Sequence, residues 1–191
     1  MNLSERAAAY NTAFPKYPSL FYSKNFILGT WMIGNYYRNK TDYHGAYPHS
    51  YLKRILSMFP DVAEDDILQL FSGSLGREDP GIRFDINPDL KPDIVGEAMN
   101  LSSYFPEKKF NLILADPPYS EEDANKYGIP MVNRNRVVKE CVKVLKPGGF
   151  LVWLDQVFPM YSKQELKLVG TIGVVRSTNH RTRMVFIWER V

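Results

Sequence analysis

Cysteine is almost absent. The 191-residue chain holds one, Cys141, which excludes an internal disulfide framework and a cysteine-based zinc site and predicts a small core residue in a reducing compartment. Histidine is nearly as scarce: His44, His49 and His180 are scattered, with no pair at helical ligand spacing, so no metal site is expected. No run approaches the ~20 apolar residues of a membrane helix, and the opening residues set Glu5 and Arg6 among alanines instead of a basic segment followed by an apolar one. The expectation is a cytoplasmic protein with no membrane partner. Repeats, low-complexity tracts and Gly/Ser linkers are missing too, so residues 1–191 are expected to form a single domain.

The net charge is only +3, but both ends of the chain are basic and the middle is acidic. Two readings stand: ordinary solvation, or ends that fold onto one rim and offer cations to a polyanion. Residues 1–60 are aromatic-rich and interrupted by Pro15, Pro18, Gly29, Gly34, Gly45 and Pro48. They predict an appendage of loops and short helices over a sheet core at 61–191, with one helix from His49 to Met58.

From residue 66 onward strand and helix signals alternate. Ile67–Phe71, Gly81–Ile86, Asp93–Gly96, Phe110–Ala115 and Phe150–Leu154 read as strands, and Val169–Val175 and Met184–Trp188 as two more joined by a short turn. Val137, Val138, Cys141, Val142 and Leu145 recur at intervals of three and four, which predicts an amphipathic helix over 133–145, and a short helix is expected over Ser162–Leu168. The pattern argues for an α/β fold, a doubly wound, mostly parallel sheet with an antiparallel C-terminal hairpin at its edge.

In such sheets ligands bind outside the carboxyl ends of the strands. The first strand exits into Phe71-Ser72-Gly73-Ser74-Leu75-Gly76, either a plain turn or a loop whose glycines let backbone approach a ligand. Asp85 ends the second strand, where a carboxylate can accept both hydroxyl protons of a ribose. It follows Gly76 by nine residues, where dinucleotide folds leave about twenty, so the first crossover must be abbreviated to one helical turn or less. Gly96-Glu97-Ala98 could read an adenine edge. Asp116-Pro117-Pro118-Tyr119 is the most specific: a carboxylate and a carbonyl on rigid proline backbone offer two acceptors, and the tyrosine offers a flat face to a planar base.

These motifs in this order, followed by Leu145-Lys146-Pro147-Gly148-Gly149, resemble those of class I S-adenosylmethionine-dependent methyltransferases. The Asp-Pro-Pro-Tyr tetrapeptide is similar to that of amino-methyltransferases, above all adenine-N6 DNA enzymes. The resemblance spans about residues 66–191 and implies a seven-stranded Rossmann-like sheet with S-adenosylmethionine as cofactor. It further implies that Phe71, Ser72, Gly73, Asp85, Ile86, Glu97 and Ala98 hold the cofactor and that Asp116, Pro117, Pro118 and Tyr119 hold the target amine. Phe26 to Gly29 would correspond to an extra N-terminal element beside the methionine part of the cofactor. Leu75 departs from the small residues common at its place, and no separate target-recognition region is visible.

On this reading Asp116 and the Pro117 carbonyl accept the two N–H bonds of the amine, and Tyr119 stacks an extruded base. Tyr47, in an aromatic and basic segment at 38–48, suits either stacking on unpaired bases or plain packing. His180, Arg181 and Arg183 around the last turn read as a phosphate-gripping finger or as a solvated turn. The partner expected is nucleic acid, DNA over RNA, with a homodimer or recognition partner left open. The competing functions are an RNA-base or protein-glutamine amino-methyltransferase, and a catalytically silent cofactor-binding module.

Overall fold

The computed structural model describes residues 1–34, 47–48, 50–107, 109–126, 131–176 and 182–191. The chain opens with helix α1 (Leu3–Ala13), strands β1 (Leu20–Ser23) and β2 (Phe26–Ile33) and helix α2 (Tyr51–Leu56). Strands β3 (Ile67–Leu70), β4 (Ile82–Asp85), β5 (Ile94–Val95) and β6 (Phe110–Ala115) follow. Helices α3 (Glu121–Lys126) and α4 (Arg134–Val144) lead to β7 (Leu145–Asp155), β8 (Leu166–Arg176) and β9 (Thr182–Arg190). Among the described residues nine strands form one sheet, in the order β1-β2-β8-β9-β7-β6-β3-β4-β5. Strands β3 to β7 are mutually parallel, whereas β9 pairs antiparallel with both β7 and β8.

Side chains alternate between two buried layers, as the period of two along a strand requires. Ile67, Leu112, Leu114, Val152 and Leu154 pack with Tyr10 of α1 and with Tyr51 and Ile55 of α2. Leu68, Ile113, Leu151 and Trp153 pack with Val137, Val138 and Cys141 of α4. Burial on both faces is why β3, β6 and β7 read as near-continuous apolar runs. Helix α4 begins where Asn133 accepts a hydrogen bond from the Arg136 backbone at 3.0 Å, and it ends as β7 takes up Lys146-Pro147-Gly148-Gly149. The first crossover is short, as expected: between β3 and β4 the chain makes turns and no helix.

Four expectations are corrected. The sheet has nine strands, not seven, because the N-terminal segment does not merely lie over it. Residues 20–33 form a hairpin that joins the sheet, with Ile27, Trp31 and Ile33 buried in alternation and β2 parallel to β8. Gly29 permits that hairpin, since a Cβ there would come within 2.4 Å of Leu20 Cδ2 and 2.6 Å of the Ser19 carbonyl. As a result the β8–β9 hairpin is internal rather than an edge. Ser162–Leu168 is not a helix either: a turn closes at Ser162 and β8 starts at Leu166, where pairing of Leu166 with Arg190 and Leu168 with Trp188 overrides local propensity. Finally, Phe26–Gly29, expected beside the methionine part of the cofactor, lies within β2, five strand positions and so about 24 Å from β3, whose exit loop was read as a cofactor loop.

Candidate functional site

From β3 the chain runs outward through β4 to β5, then returns to the other side of β3 as β6. Strand order therefore reverses between β3 and β6, and their carboxyl ends open a crevice there. The register Leu70↔Ala115 sets Phe71 beside Asp116, about 5 Å away across one strand spacing.

On the β3 side the backbone is contorted. Phe71 adopts φ 61° and Gly73 φ 55°, both left-handed, and Phe71 is one of few non-glycine residues to do so. Among the bonds that hold the loop, the Ser72 N–H donates to the Phe84 carbonyl at 3.1 Å, the Gly73 N–H to Asp85 Oδ2 at 2.9 Å and Arg83 Nη1 to the Leu75 carbonyl at 3.0 Å. The other carboxylate oxygen of Asp85 accepts from the Asn87 N–H at 2.9 Å. Each oxygen keeps a lone-pair site beyond those bonds. Ser72 Oγ is buried and has no hydrogen-bond partner. Next along the rim, Ala98 is buried, Ile86 is exposed, and half-buried Glu97 accepts from Asn100 Nδ2 at 2.7 Å. Gly96 has no room for a side chain, with Phe84 and Tyr104 ring atoms 2.5 and 2.6 Å from where a Cβ would stand.

On the β6 side Pro117 and Pro118 are buried, and the Tyr119 hydroxyl turns back to donate to Asp116 Oδ1. Asp116 as a residue is half-buried, but protein atoms crowd its carboxyl. Burial pushes that carboxyl up to about 7, against the lowering influence of the Arg183 charge and the Tyr119 hydroxyl and with a further push from Asp155. Burial, followed by the charge of Asp116, likewise raises the Tyr119 phenol well above its ordinary value.

Arg183, expected on a phosphate-gripping finger, is corrected in place. It is only 9% exposed, and its guanidinium lies 4.4 Å from the Tyr119 ring centroid, covering one face of the ring. Tyr47 is brought to the site: it stacks on Tyr51 at 5.1 Å, and its phenol is raised by burial and by the Asp116 charge. Its hydroxyl donates to Gln69 Oε1 of β3 at 3.4 Å. His180 and Arg181 lie outside the described residues.

Three members of the site escape sequence reasoning. Tyr51 of α2 faces the same carboxylate, its phenol raised by burial, by Tyr47 and by Asp116. Asp155 ends β7, wholly buried, and Arg134 at the start of α4 binds it through Nε at 2.7 Å. The position of Asp155 at the carboxyl end of an expected strand is a signal that could have found it; nothing in the spacing marks Arg134.

No family model matches the chain, and no curated protein matches it. Among solved structures, it is similar to TrmN from Thermus thermophilus, at 17% identity and a TM-score of 0.56 over 78% of this chain and 50% of that one. It is also similar to the N-methyltransferase NodS from Bradyrhizobium japonicum WM9, solved with S-adenosyl-L-homocysteine, at 14% identity and a TM-score of 0.50 over 74% of this chain and 85% of that one. The chain thus spans half the length of TrmN. The fold is the Rossmann-like methyltransferase fold, a mixed sheet with parallel strands and an antiparallel hairpin.

Proposed function

We propose that this protein transfers a methyl group from S-adenosylmethionine to an exocyclic amino group of a nucleic-acid base, foremost N6 of adenine in DNA. The observation that carries the reading is the pairing, across the reversal of strand order, of a contorted loop tied to Asp85 with the Asp116-Pro117-Pro118-Tyr119 turn.

The residues present fit the cofactor. Asp85 retains acceptor sites for ribose hydroxyls, the left-handed Gly73 backbone lets the chain approach a ligand closely, and Ile86, Glu97 and Ala98 would border the adenine. S-adenosylmethionine supplies an electrophilic methyl on a sulfonium sulfur. The protein's own task lies with the amine, a weak nucleophile because its lone pair is delocalised into the ring. Asp116 and the Pro117 carbonyl accept its two N–H bonds and stabilise the positive charge that develops on nitrogen. Only the ionised carboxylate offers both oxygens as acceptors, so activity rises with pH through about 7. Tyr119 would stack the base on the face opposite Arg183, and the base leaves the duplex stack to reach it.

Labelled methyl transfer to DNA and to RNA, followed by nucleoside digestion, tests the reading. N6-methyladenosine from RNA alone would move the substrate; a methylated glutamine in protein would move the class. One observation favours the silent-module alternative: the Tyr119 hydroxyl already donates to Asp116 Oδ1. Cofactor binding without transfer to any acceptor would establish that alternative.

A further inference from the structure

We propose that Arg134, seated on Asp155, is a positioning residue that holds the Asp116–Tyr119 turn in its working shape. The inference rests on the methyltransferase reading of that turn and assigns a role to two residues outside it. Arg134 is the first residue of α4, so its side chain starts beside the carboxyl ends of β6 and β7, which are neighbours in register at Ala115↔Trp153. From there its guanidinium makes two kinds of contact. Nη2 donates to the carbonyls of Tyr119 at 2.9 Å and Pro118 at 3.3 Å, the last two residues of the turn. On the other side Nε and Nη2 meet Asp155 Oδ2 and Oδ1 at 2.7 and 3.3 Å in a fork.

Asp155 is itself fixed. It is wholly buried and accepts from Trp153 Nε1 at 3.1 Å and from the backbone N–H groups of Gln156 at 2.7 Å and Val157 at 3.2 Å. A carboxylate so enclosed cannot drift, so the guanidinium it holds transmits the rigidity of β7 to the proline turn on β6. Two prolines fix φ within the turn but remove two of its four backbone N–H groups. The bonds to its last two carbonyls anchor it from outside.

Asp155 also contributes to the charge felt by Asp116. The groups facing that carboxylate are Tyr119 of its own turn, Tyr47, Tyr51 of α2, Arg183 of β9 and Asp155 of β7. Arg134 offsets the charge of Asp155, which raises Asp116.

The test uses the full chain and three variants, Arg134→Met, Arg134→Lys and Asp155→Asn. Arg134→Met should lower kcat about 10–100-fold, the range expected when a reacting group is misplaced by about 1 Å, with the cofactor dissociation constant nearly unchanged. Arg134→Lys keeps the charge but loses the fork, so its kcat should fall by less and its pH midpoint should stay. The midpoint of the kcat–pH profile should rise in Arg134→Met and fall in Asp155→Asn, opposite shifts that a purely structural role would not produce. Amide exchange of Tyr119 and Ser120 should quicken at least about tenfold in Arg134→Met.

Unchanged kcat and unchanged exchange in Arg134→Met would overturn the proposal. Should the wild-type protein transfer methyl to no acceptor, the functional reading fails, and the exchange measurement still decides whether Arg134 holds the turn. If Asp155→Asn does not fold, the two Arg134 variants decide alone.

Discussion

Asp116 should cost the fold stability for the sake of its chemistry, and Asp116→Asn should recover it. In the folded protein the carboxyl lies at about 7, whereas its ordinary value is 3.8. The folded state therefore holds a proton that the unfolded chain has lost, and the group's contribution to stability falls as pH rises from about 4 to about 7. Above about pH 7 the disadvantage is complete. The gap corresponds to about 4 kcal/mol at most, and partial exposure of the residue reduces it to roughly 1–3 kcal/mol. Asparagine keeps the shape and the oxygen that accepts from the Tyr119 hydroxyl, but carries no charge to bury. Urea unfolding followed by circular dichroism at a series of pH values measures the difference. Asp116→Asn should be more stable than the wild type near pH 8, with the advantage shrinking steadily toward about pH 4. An advantage that does not change with pH, or a less stable variant near pH 8, would refute the reasoning. The same variant should lose methyl transfer, because one acceptor of the amine has become a donor.

Other outcomes follow from the same contacts. Asp85→Ala should weaken S-adenosylmethionine binding at least about tenfold by calorimetry, since it removes both the proposed ribose acceptor and the anchor of the Gly73 N–H. Asp116→Ala should abolish methyl transfer with cofactor affinity nearly intact, and equal loss of both would contradict its role. Although burial opposes it, hydrogen bonds from Arg6 and the N-terminal ammonium hold the Asp61 carboxyl down to about 2. Asp61→Asn should therefore cost about 1–2 kcal/mol at neutral pH, a loss that vanishes as pH falls from about 4 to about 2, read by urea unfolding at each pH. Gly29→Ala should destabilise by about 1–3 kcal/mol in the same assay, because its new methyl meets the Ser19 carbonyl at 2.6 Å.

What sequence reading could see was set by how local each signal is. Strands β3, β6 and β7 announce themselves as apolar runs bounded by turns, and α4 by its three-four spacing, because each is specified by its own burial. The β1–β2 hairpin hides: exposed Phe21, Leu28 and Met32 blur the alternation, and its pairing partner lies far along the chain. Ser162–Leu168 misleads for the same reason, its state being set by β9. At the site, motif residues on consecutive loops were visible, since a sheet places every carboxyl end on one rim. Arg134 and Tyr51 were not, because Tyr51 of α2 comes to face Asp116, and Arg134 at the start of α4 reaches the Pro118 and Tyr119 carbonyls, only after the layers close; Asp155 was marked only by its place at the end of β7.

The parallel pairing of β2 with β8 has a consequence for synthesis on the ribosome. Ile27 meets Gly170, about 140 residues later, so the N-terminal hairpin emerges long before the strand that receives it. Until then its apolar residues have no sheet to join, and β8 cannot be flanked on both sides until the hairpin swings in. Closing so large a loop makes docking of the first strands a late event, and the interval before it is when a nascent chain would benefit most from a chaperone.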